Sequence, residues 1–388
     1  MLHAATERKY IDNRIDHDSF AGPGTKGFVS FEERPMQIAV PDNLWPANLK
    51  PSVQKIKDLA PGSKIEGPVG ESVDVLIMTY TTDEARALSL VFTGDLRFED
   101  KWYRYGHNFS KIKSKITSGL TLKGKPTTLG QGTMAFIQPV KVGNKSAMLC
   151  KSELHPARNG KQLPFLDMVQ QLIEDLNPKL VITAGTAGAV GTELNIGDVV
   201  VTSDAVFLCK HQYPDDTQIN KLSANKTPLK SGNDVNKQYI NYANDKFAGL
   251  IKPGLVDDVQ KIKDKYKLTY IKTNGSPKIY TGKVPDAKAM NVISADYFSI
   301  DNSKDTEGLQ ELGIMNDMDD AFVAFAISQM NGPKPEWLSI RNASEPEIKY
   351  SSSEKKMKDD AGNIYDTCGF HTSYNSSFAA WGVVAGMN

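Results

Sequence analysis

The sequence predicts an α/β protein with a largely central sheet, and three observations lead there. Short apolar, β-branched runs such as VDVLIMTY (73–80) and EWLSIR (336–341) read as buried strands. Other segments carry apolar residues at helical spacing, as Leu166, Val169, Leu172, Ile173 and Leu176 do. The two kinds alternate through most of the chain, the pattern of helices layered on a sheet.

Residues 1–70 are polar and punctuated by Pro23, Pro35, Pro41, Pro46, Pro51 and Pro61. They read as an N-terminal extension, mostly irregular, with a short helix near 52–60. The remainder, 71–388, reads as one domain. After the strand at 73–80, Ala85, Leu88 and Phe92 predict a helix over Asp83–Phe92. AMLCKSEL (147–154) is a second strand, and the helix of Leu166–Leu176 stops before Asn177-Pro178. LVITAGTAGAVGTELNIGDVVV (180–201) supplies two more strands, 180–184 and 198–203, joined by a glycine-rich turn. Residues 210–290 are rich in Lys, Asn and Asp and read as a large surface insertion or several connecting segments, with a helix at 255–265. MNVISADYF (290–298) is strand-like. Ile314, Met318, Ala321, Phe322, Phe325 and Met330 predict a helix, and EWLSIR is the last strand.

Lys plus Arg equals Asp plus Glu, 46 each, so no net field attracts nucleic acid or anionic lipid. The three cysteines, Cys150, Cys209 and Cys368, are far apart, which argues against a disulfide framework or a zinc site. The N-terminus lacks the apolar core of a signal peptide, and no apolar run approaches the roughly 20 residues of a membrane span. A soluble, cytoplasmic protein is expected, with a small-molecule partner.

Several motifs fail. Gly185, Gly188 and Gly191 are spaced G-x-x-G-x-x-G and are followed by a strand, so a dinucleotide site is not expected. Gly-Lys is never followed by Ser or Thr, which excludes a P-loop. Asp301, Ser303 and Asp305 lack the Gly and Glu of a calcium loop, and no histidines pair at helical spacing. No metal or cofactor is expected.

Four segments remain: TTDEARAL (81–88), AGTAGAVGTELNIGDVVV (184–201), GIMNDMDDAFVAFA (313–326) and IRNASEP (340–346). Three carry carboxylates at element boundaries and three follow predicted strands, where α/β sheets bind ligands. Together they resemble the nucleoside phosphorylase / nucleosidase superfamily, most closely its methylthioadenosine/S-adenosylhomocysteine nucleosidases. The second segment is similar to the family's glycine turn followed by a G-D-[IV]-V-V strand. The fourth is similar to its R-x-[IV]-S-D, and the third to its E-M-E-[AG]-x-A helix start. The resemblance covers roughly 72–207 and 292–385, is patchy in 92–145 and 208–290, and is absent from 1–70.

That resemblance implies a three-layer sandwich with a mixed, partly closed central sheet, with insertions around 92–145 and 208–290. It implies cleavage of the N-glycosidic bond of a purine nucleoside, and a homo-oligomer of two or more chains. Glu84 falls where the family's glutamate polarises the attacking water. Thr186 matches the Ser/Thr near the nucleophile and ribose, and Phe298 a phenylalanine that stacks on the purine. Met318 and Asp319 match the Met-Glu pair that holds the ribose hydroxyls. Arg341 matches an arginine near the nucleophile. Ser344 and Glu345 match the Ser-Asp pair whose acid protonates N7 of the leaving base. Two acids depart from the pattern, Asp319 for Glu and Glu345 for Asp, and each moves a carboxyl by about 1.5 Å. In SELHPARNGK (152–161) the family has a glycine-containing loop. Here His155, Arg158 and Lys161 are candidate contacts to a phosphate or 5′ group.

The chemistry explains these residue types. The sugar becomes oxocarbenium-like as the bond breaks. A buried carboxylic acid at N7 makes the base a neutral leaving group, typically a 10²–10⁴-fold effect. The acids at Asp83 and Glu84 repel phosphate, so water is the expected nucleophile; the resemblance implies adenine as the base, since its carboxylic acid suits 6-amino purines. A purine nucleoside phosphorylase and a catalytically silent, ligand-binding or storage member of the fold are the alternatives. Singly, Glu84 is also an ordinary helix-start acid, and Phe298 an ordinary core aromatic.

Overall fold

A computed structural model describes residues 40–191, 193–209, 213, 217–232, 235–266, 277–297, 308–347 and 354–388. Fourteen strands form one mixed sheet. They are β1 (Ser52–Val53), β2 (Lys64–Ile65), β3 (Val75–Thr79), β4 (Tyr103–Tyr105), β5 (Ala135–Val142), β6 (Lys145–Ser152) and β7 (Leu180–Ala189). The rest are β8 (Val199–Thr202), β9 (Asp204–Leu208), β10 (Leu229–Lys230), β11 (Ile279–Thr281), β12 (Val292–Ala295), β13 (Met315–Asp317) and β14 (Glu336–Pro346). The helices used below are α1 (Thr82–Thr93), α2 (Pro164–Leu176), α3 (Gln218–Ala224), α4 (Gln238–Tyr266), α5 (Leu309–Leu312), α6 (Asp320–Gln329) and α7 (Glu354–Gly386).

The strand order is β10-β9-β12-β13-β7-β3-β6-β5-β4-β2, with β1 on β5. On its other edge β7 takes β14, which continues to β8 and β11. The centre is buried on both faces. Leu76 and Met78 of β3 share a core with Phe165, Met168 and Leu172 of α2 and with Phe322 and Phe325 of α6. Val75 and Ile77, pointing the opposite way, meet Leu88 and Phe92 of α1 and Phe378 and Trp381 of α7. The result is three layers: α2, α3 and α6, then the sheet, then α1, α4 and α7. The α/β class and the layered, mixed sheet agree with the sequence-based expectation.

β7 explains where a site can form. Leu180–Thr183 pair in parallel with β3, whereas Gly188 and Ala189 pair antiparallel with β13. β14 runs in parallel along the other edge for the whole length of β7. Between Thr183 and Gly188 the β3 side has no strand partner among the described residues. Side chains from the β3–α1 turn and from β13–α6 fill this gap.

Some sequence expectations differ from the structure. The predicted helix near 52–60 is absent: Ser52 and Val53 pair with Lys141 and Val140. The N–H groups of Gln54 and Ile56 donate to Pro139 O (2.9 Å) and to the Tyr103 hydroxyl (3.2 Å), commitments incompatible with a helix ladder. The helix predicted from Ile314 starts only at Asp320. Met315–Asp317 is drawn into the sheet by β12 and β7, and the Asp317 carboxylate accepts from Asp320 N (3.1 Å) at the helix entry. The helix predicted at 255–265 is the end of the longer α4. This segment is no mere surface insertion, because Ile240, Ala243 and Phe247 of α4 lie in the core against α7. The strand through the glycine turn runs on to Ala189, and α7 itself carries no expectation from the sequence. Residues 1–39 and Phe298 lie outside the described residues. Among the described residues no helix is long and apolar enough to cross a membrane.

Candidate active site

Glu84 stands at the start of α1, and a capping box puts it there. Thr81 Oγ1 accepts from Glu84 N (3.3 Å), and Glu84 Oε2 accepts from Thr81 N (2.8 Å) and Tyr80 N (2.9 Å). The other oxygen, Oε1, accepts from both Thr186 N and Thr186 Oγ1 at 2.7 Å. Glu84 is therefore both a helix cap and the link between α1 and the glycine turn. Gly185 makes room for it, since a Cβ there would collide with the Glu84 carboxyl.

Arg341 meets the same turn from β14. Its Nη1 donates to Thr186 O (3.2 Å) and its Nε to Asp320 Oδ2 (3.0 Å). Nη2 bonds Asp319 and Asp320 and lies 3.1 Å from Asp317 Oδ2. Its Cζ sits 5.5 Å from the centre of the Tyr80 ring. The three aspartates come within 4.8 Å of one another. Burial, and then repulsion from Asp320, raise Asp317 well above the carboxylate range. Burial raises Asp319 in the same way, against the pull of Arg341. Burial also acts to raise Asp320, but Arg341 outweighs it and holds Asp320 below its ordinary value. Arg341 is thus matched mainly to Asp320, while burial shifts Asp317 and Asp319 towards their neutral forms.

His155 joins from the loop after β6. Its Nδ1 accepts from Ala157 N (3.2 Å), so in the neutral ring Nε2 carries the hydrogen. Nε2 faces Asp319 Oδ2 at 3.8 Å. Burial, and then the charges of Arg158, Arg341 and Lys151, lower His155 to about 3. His155 is a neutral donor here and not a cation for phosphate. Arg158 is buried, whereas Lys161 is exposed and apart from the cluster.

At the far end of β14, Ser344 Oγ lies 3.3 Å from Ala187 O and is also bonded to Glu345. Both residues are buried beside the glycine turn, and Met318 is half-buried at the entry to α6. Glu84, Thr186, Asp319, Arg341 and His155 thus form one continuous cluster. Ser344 and Glu345 join the turn a few residues further along.

Tyr80, Asp317 and Asp320 belong to this cluster, and sequence reasoning did not single them out as site residues. The apolar strand conceals Tyr80. Its ring packs edge-on to His155, and its hydroxyl is buried with no hydrogen-bond partner among the described residues. Burial and the charge of Asp319 push this phenol well above its usual range. Asp317 and Asp320 read singly as helix-start acids. The signal for them was three aspartates within four residues near a lone buried-strand arginine, Arg341.

Residues 167–333 match the family described as the phosphorylase superfamily. The match includes the second and third of the four segments and bears out the resemblance they carry. No curated protein is similar to the chain at a significant level. Among solved structures, the chain is similar to a 5′-methylthioadenosine/S-adenosylhomocysteine nucleosidase from Helicobacter pylori, with 12% identity, a TM-score of 0.42, and 80% of this chain and 96% of that one covered. A futalosine hydrolase from Helicobacter pylori gives 12% identity and 0.42, with 81% and 97% covered. A 5′-methylthioadenosine nucleosidase from Arabidopsis thaliana gives 13% and 0.44, with 82% and 97% covered.

Proposed function

We propose that the protein hydrolyses the N-glycosidic bond of a purine nucleoside or nucleotide, with adenine as the departing base. The observation that carries this reading is the meeting of Glu84, Arg341 and the glycine turn at Thr186. Three segments distant in sequence converge at the unpaired stretch of β7, the kind of strand-end crevice in which α/β sheets act.

All four described hydrogen bonds to the Glu84 carboxylate come from Tyr80, Thr81 and Thr186. Glu84 therefore acts through Thr186: the Thr186 hydroxyl proton is held by Oε1, which turns the hydroxyl lone pairs towards the attacking water. Asp319 offers Oδ2, since Arg341 bonds Oδ1, and this oxygen receives a ribose hydroxyl beside the Nε2–H of His155. Met318 packs on the sugar.

Glu345 is the acid at N7. The Ser344 hydroxyl has one proton and two acceptors in reach, Ala187 O and Glu345. A protonated Glu345 resolves this, donating to Ser344 Oγ while Ser344 donates to the carbonyl. The same proton is then available to the base. Phe298 stacks on the purine in this reading.

An assay for free base, run with and without phosphate, tests the proposal. Phosphate-independent release is expected. Strict dependence on phosphate would make the protein a phosphorylase, and no release from any purine nucleoside would favour a silent, ligand-binding member of the fold.

A further inference from the structure

Tyr80 lies in the cluster, yet the reaction proposed above gives it no task. It follows β3, and its ring packs with Phe165 of α2, with 5.9 Å between centres. Arg341 Cζ and the His155 ring centre flank the same ring, at 5.5 and 6.2 Å from its centre. These two residues also flank the Asp319 carboxyl: Arg341 bonds Oδ1, and His155 Nε2 faces Oδ2. The Tyr80 ring and the Asp319 carboxyl thus share both neighbours. Burial is the main cause that raises the phenol, and the charge of Asp319 comes next, ahead of those of Asp320 and Asp317. Charge effects fall with distance, which sets the hydroxyl nearer to Asp319 than to the other two acids.

Three polar atoms meet here without partners. Tyr80 is only 1% exposed, and its hydroxyl is buried with no hydrogen-bond partner among the described residues. His155 Nε2 carries a hydrogen, because Nδ1 accepts from Ala157 N, and Asp319 Oδ2 at 3.8 Å is too far to accept it. Asp319 Oδ2 in turn has no donor among the described residues, since the hydrogen bonds of Asp319 run through its N–H and Oδ1. The set is two donors and one acceptor, contributed by three segments distant in sequence. Buried polar groups are rarely left so, because an unmet one is costly. A hydroxyl group is the complement of this set, with one proton to give and two lone pairs.

We infer that Tyr80 is a specificity-determining residue: its hydroxyl, with His155 Nε2–H and Asp319 Oδ2, encloses one ribose hydroxyl and selects ribonucleosides over the deoxy counterpart; the inference rests on the nucleosidase reading above. The ribose hydroxyl donates to Oδ2 and accepts from Tyr80 and His155, so every member of the set is met. Donation to Oδ2 also favours the charged carboxylate, against the burial that raises Asp319. A nucleoside without that hydroxyl leaves two donors and a carboxyl buried and unmet, the condition under which a site rejects an analogue strongly.

The test sets Tyr80→Phe against adenosine, 2′-deoxyadenosine and 3′-deoxyadenosine, read as kcat/KM under the conditions in which the wild type releases base. The substitution keeps the ring and removes only the hydroxyl. It should lower the value for adenosine by about 3–10-fold and leave that for one of the two deoxy nucleosides within about twofold, because that one has nothing for Tyr80 to meet. Equal losses on all three substrates, or none, would overturn the inference. A thermal melt without substrate gives a second readout. Removing an unmet buried hydroxyl should leave Tm unchanged or raise it, whereas a fall marks a partner inside the free protein and overturns the inference. If the wild type releases no base at all, calorimetric titration with the same three nucleosides decides. Weaker binding of one deoxy nucleoside, by a margin that Tyr80→Phe narrows, keeps this inference while the hydrolysis reading falls, and no such difference sinks it.

Discussion

Replacing Arg341 with Met removes the cation that faces three buried carboxyls while keeping much of the side-chain volume. Breaking a buried ion pair by deleting one partner costs about 3–5 kcal/mol, because the remaining charge stays buried. Here the cost falls mainly on Asp320. Asp317 and Asp319 are already raised by burial, whereas Asp320 is held low by Arg341. The sign follows. A carboxyl lowered on folding stabilises the protein above its unfolded pKa of about 3.9, and the contribution is lost as pH falls through its folded value. Asp317 and Asp319 act oppositely: their contribution is present at low pH and is lost as pH rises through their folded values. Without Arg341, burial raises Asp320 as well, and a raised carboxyl costs the variant more as pH rises, so the deficit of Arg341→Met should be about 3–5 kcal/mol near neutral pH and smaller near pH 4.5. Urea unfolding followed by tryptophan fluorescence measures it, and with m of about 3 kcal/mol/M the midpoint falls by about 1–1.7 M. Adding Asp320→Asn to Arg341→Met should restore part of the loss. A deficit under about 1 kcal/mol, or one equal at both pH values, would refute this account of the cluster.

Glu345→Gln should cut base release by about 10²–10⁴-fold with little change in KM; unchanged turnover removes Glu345 as the acid. Gly185→Ala should destabilise by about 1–3 kcal/mol in a thermal melt, because its Cβ displaces the Glu84 carboxyl. Thr81→Ala should cost about 0.5–2 kcal/mol through loss of the N-cap, read by the same melt. The ring signals of His155, assigned by comparison with His155→Gln, should stay flat in NMR titration from pH 8 to 5, because the neutral form persists down to about 3; a midpoint near 6.5 would contradict its buried, cation-flanked setting.

Much of the fold was legible because its central strands are buried on both faces. VLIMT of β3 and WLSI of β14 are apolar runs that admit few other readings. Met315–Asp317 was misread because apolar residues around it happen to recur at helical spacing, and only long-range pairing with Gly188 and Ala189 makes it a strand. α7 was missed for a related reason. It is buried on all sides over 372–385, and Thr372, Ser373, Asn375, Ser376 and Ser377 interrupt its apolar residues, so no one-sided apolar period stands out. In the site, motif spacing pointed to Glu84, Thr186, Asp319, Arg341 and Glu345. It could not reveal that one carboxylate both caps a helix and holds Thr186. Nor could it show that His155 is stripped of charge by cations far from it in sequence. Asn316 and Glu347 carry no motif at all, and only the fold, which sets β13 and the end of β14 on opposite edges of β7, brings their side chains together.

The packing of α7 over the glycine turn has a consequence for how the protein is made. With its amide turned so that the nitrogen meets acceptors, Asn342 of β14 donates to Gly185 O (2.7 Å) and bonds Thr372 of α7, and the Tyr365 hydroxyl lies 2.9 Å from Thr81 Oγ1, the cap above Glu84. Thr81 and Tyr365 are 284 residues apart. At about 5–20 residues per second, a ribosome needs roughly 15–60 s to travel between them. For that time the turn that holds Glu84 exists without its cover, and Arg341 itself follows Glu84 by 257 residues. The nascent chain therefore carries Glu84 and the glycine turn well before a competent pocket, and assembly of the centre waits for Arg341 and α7.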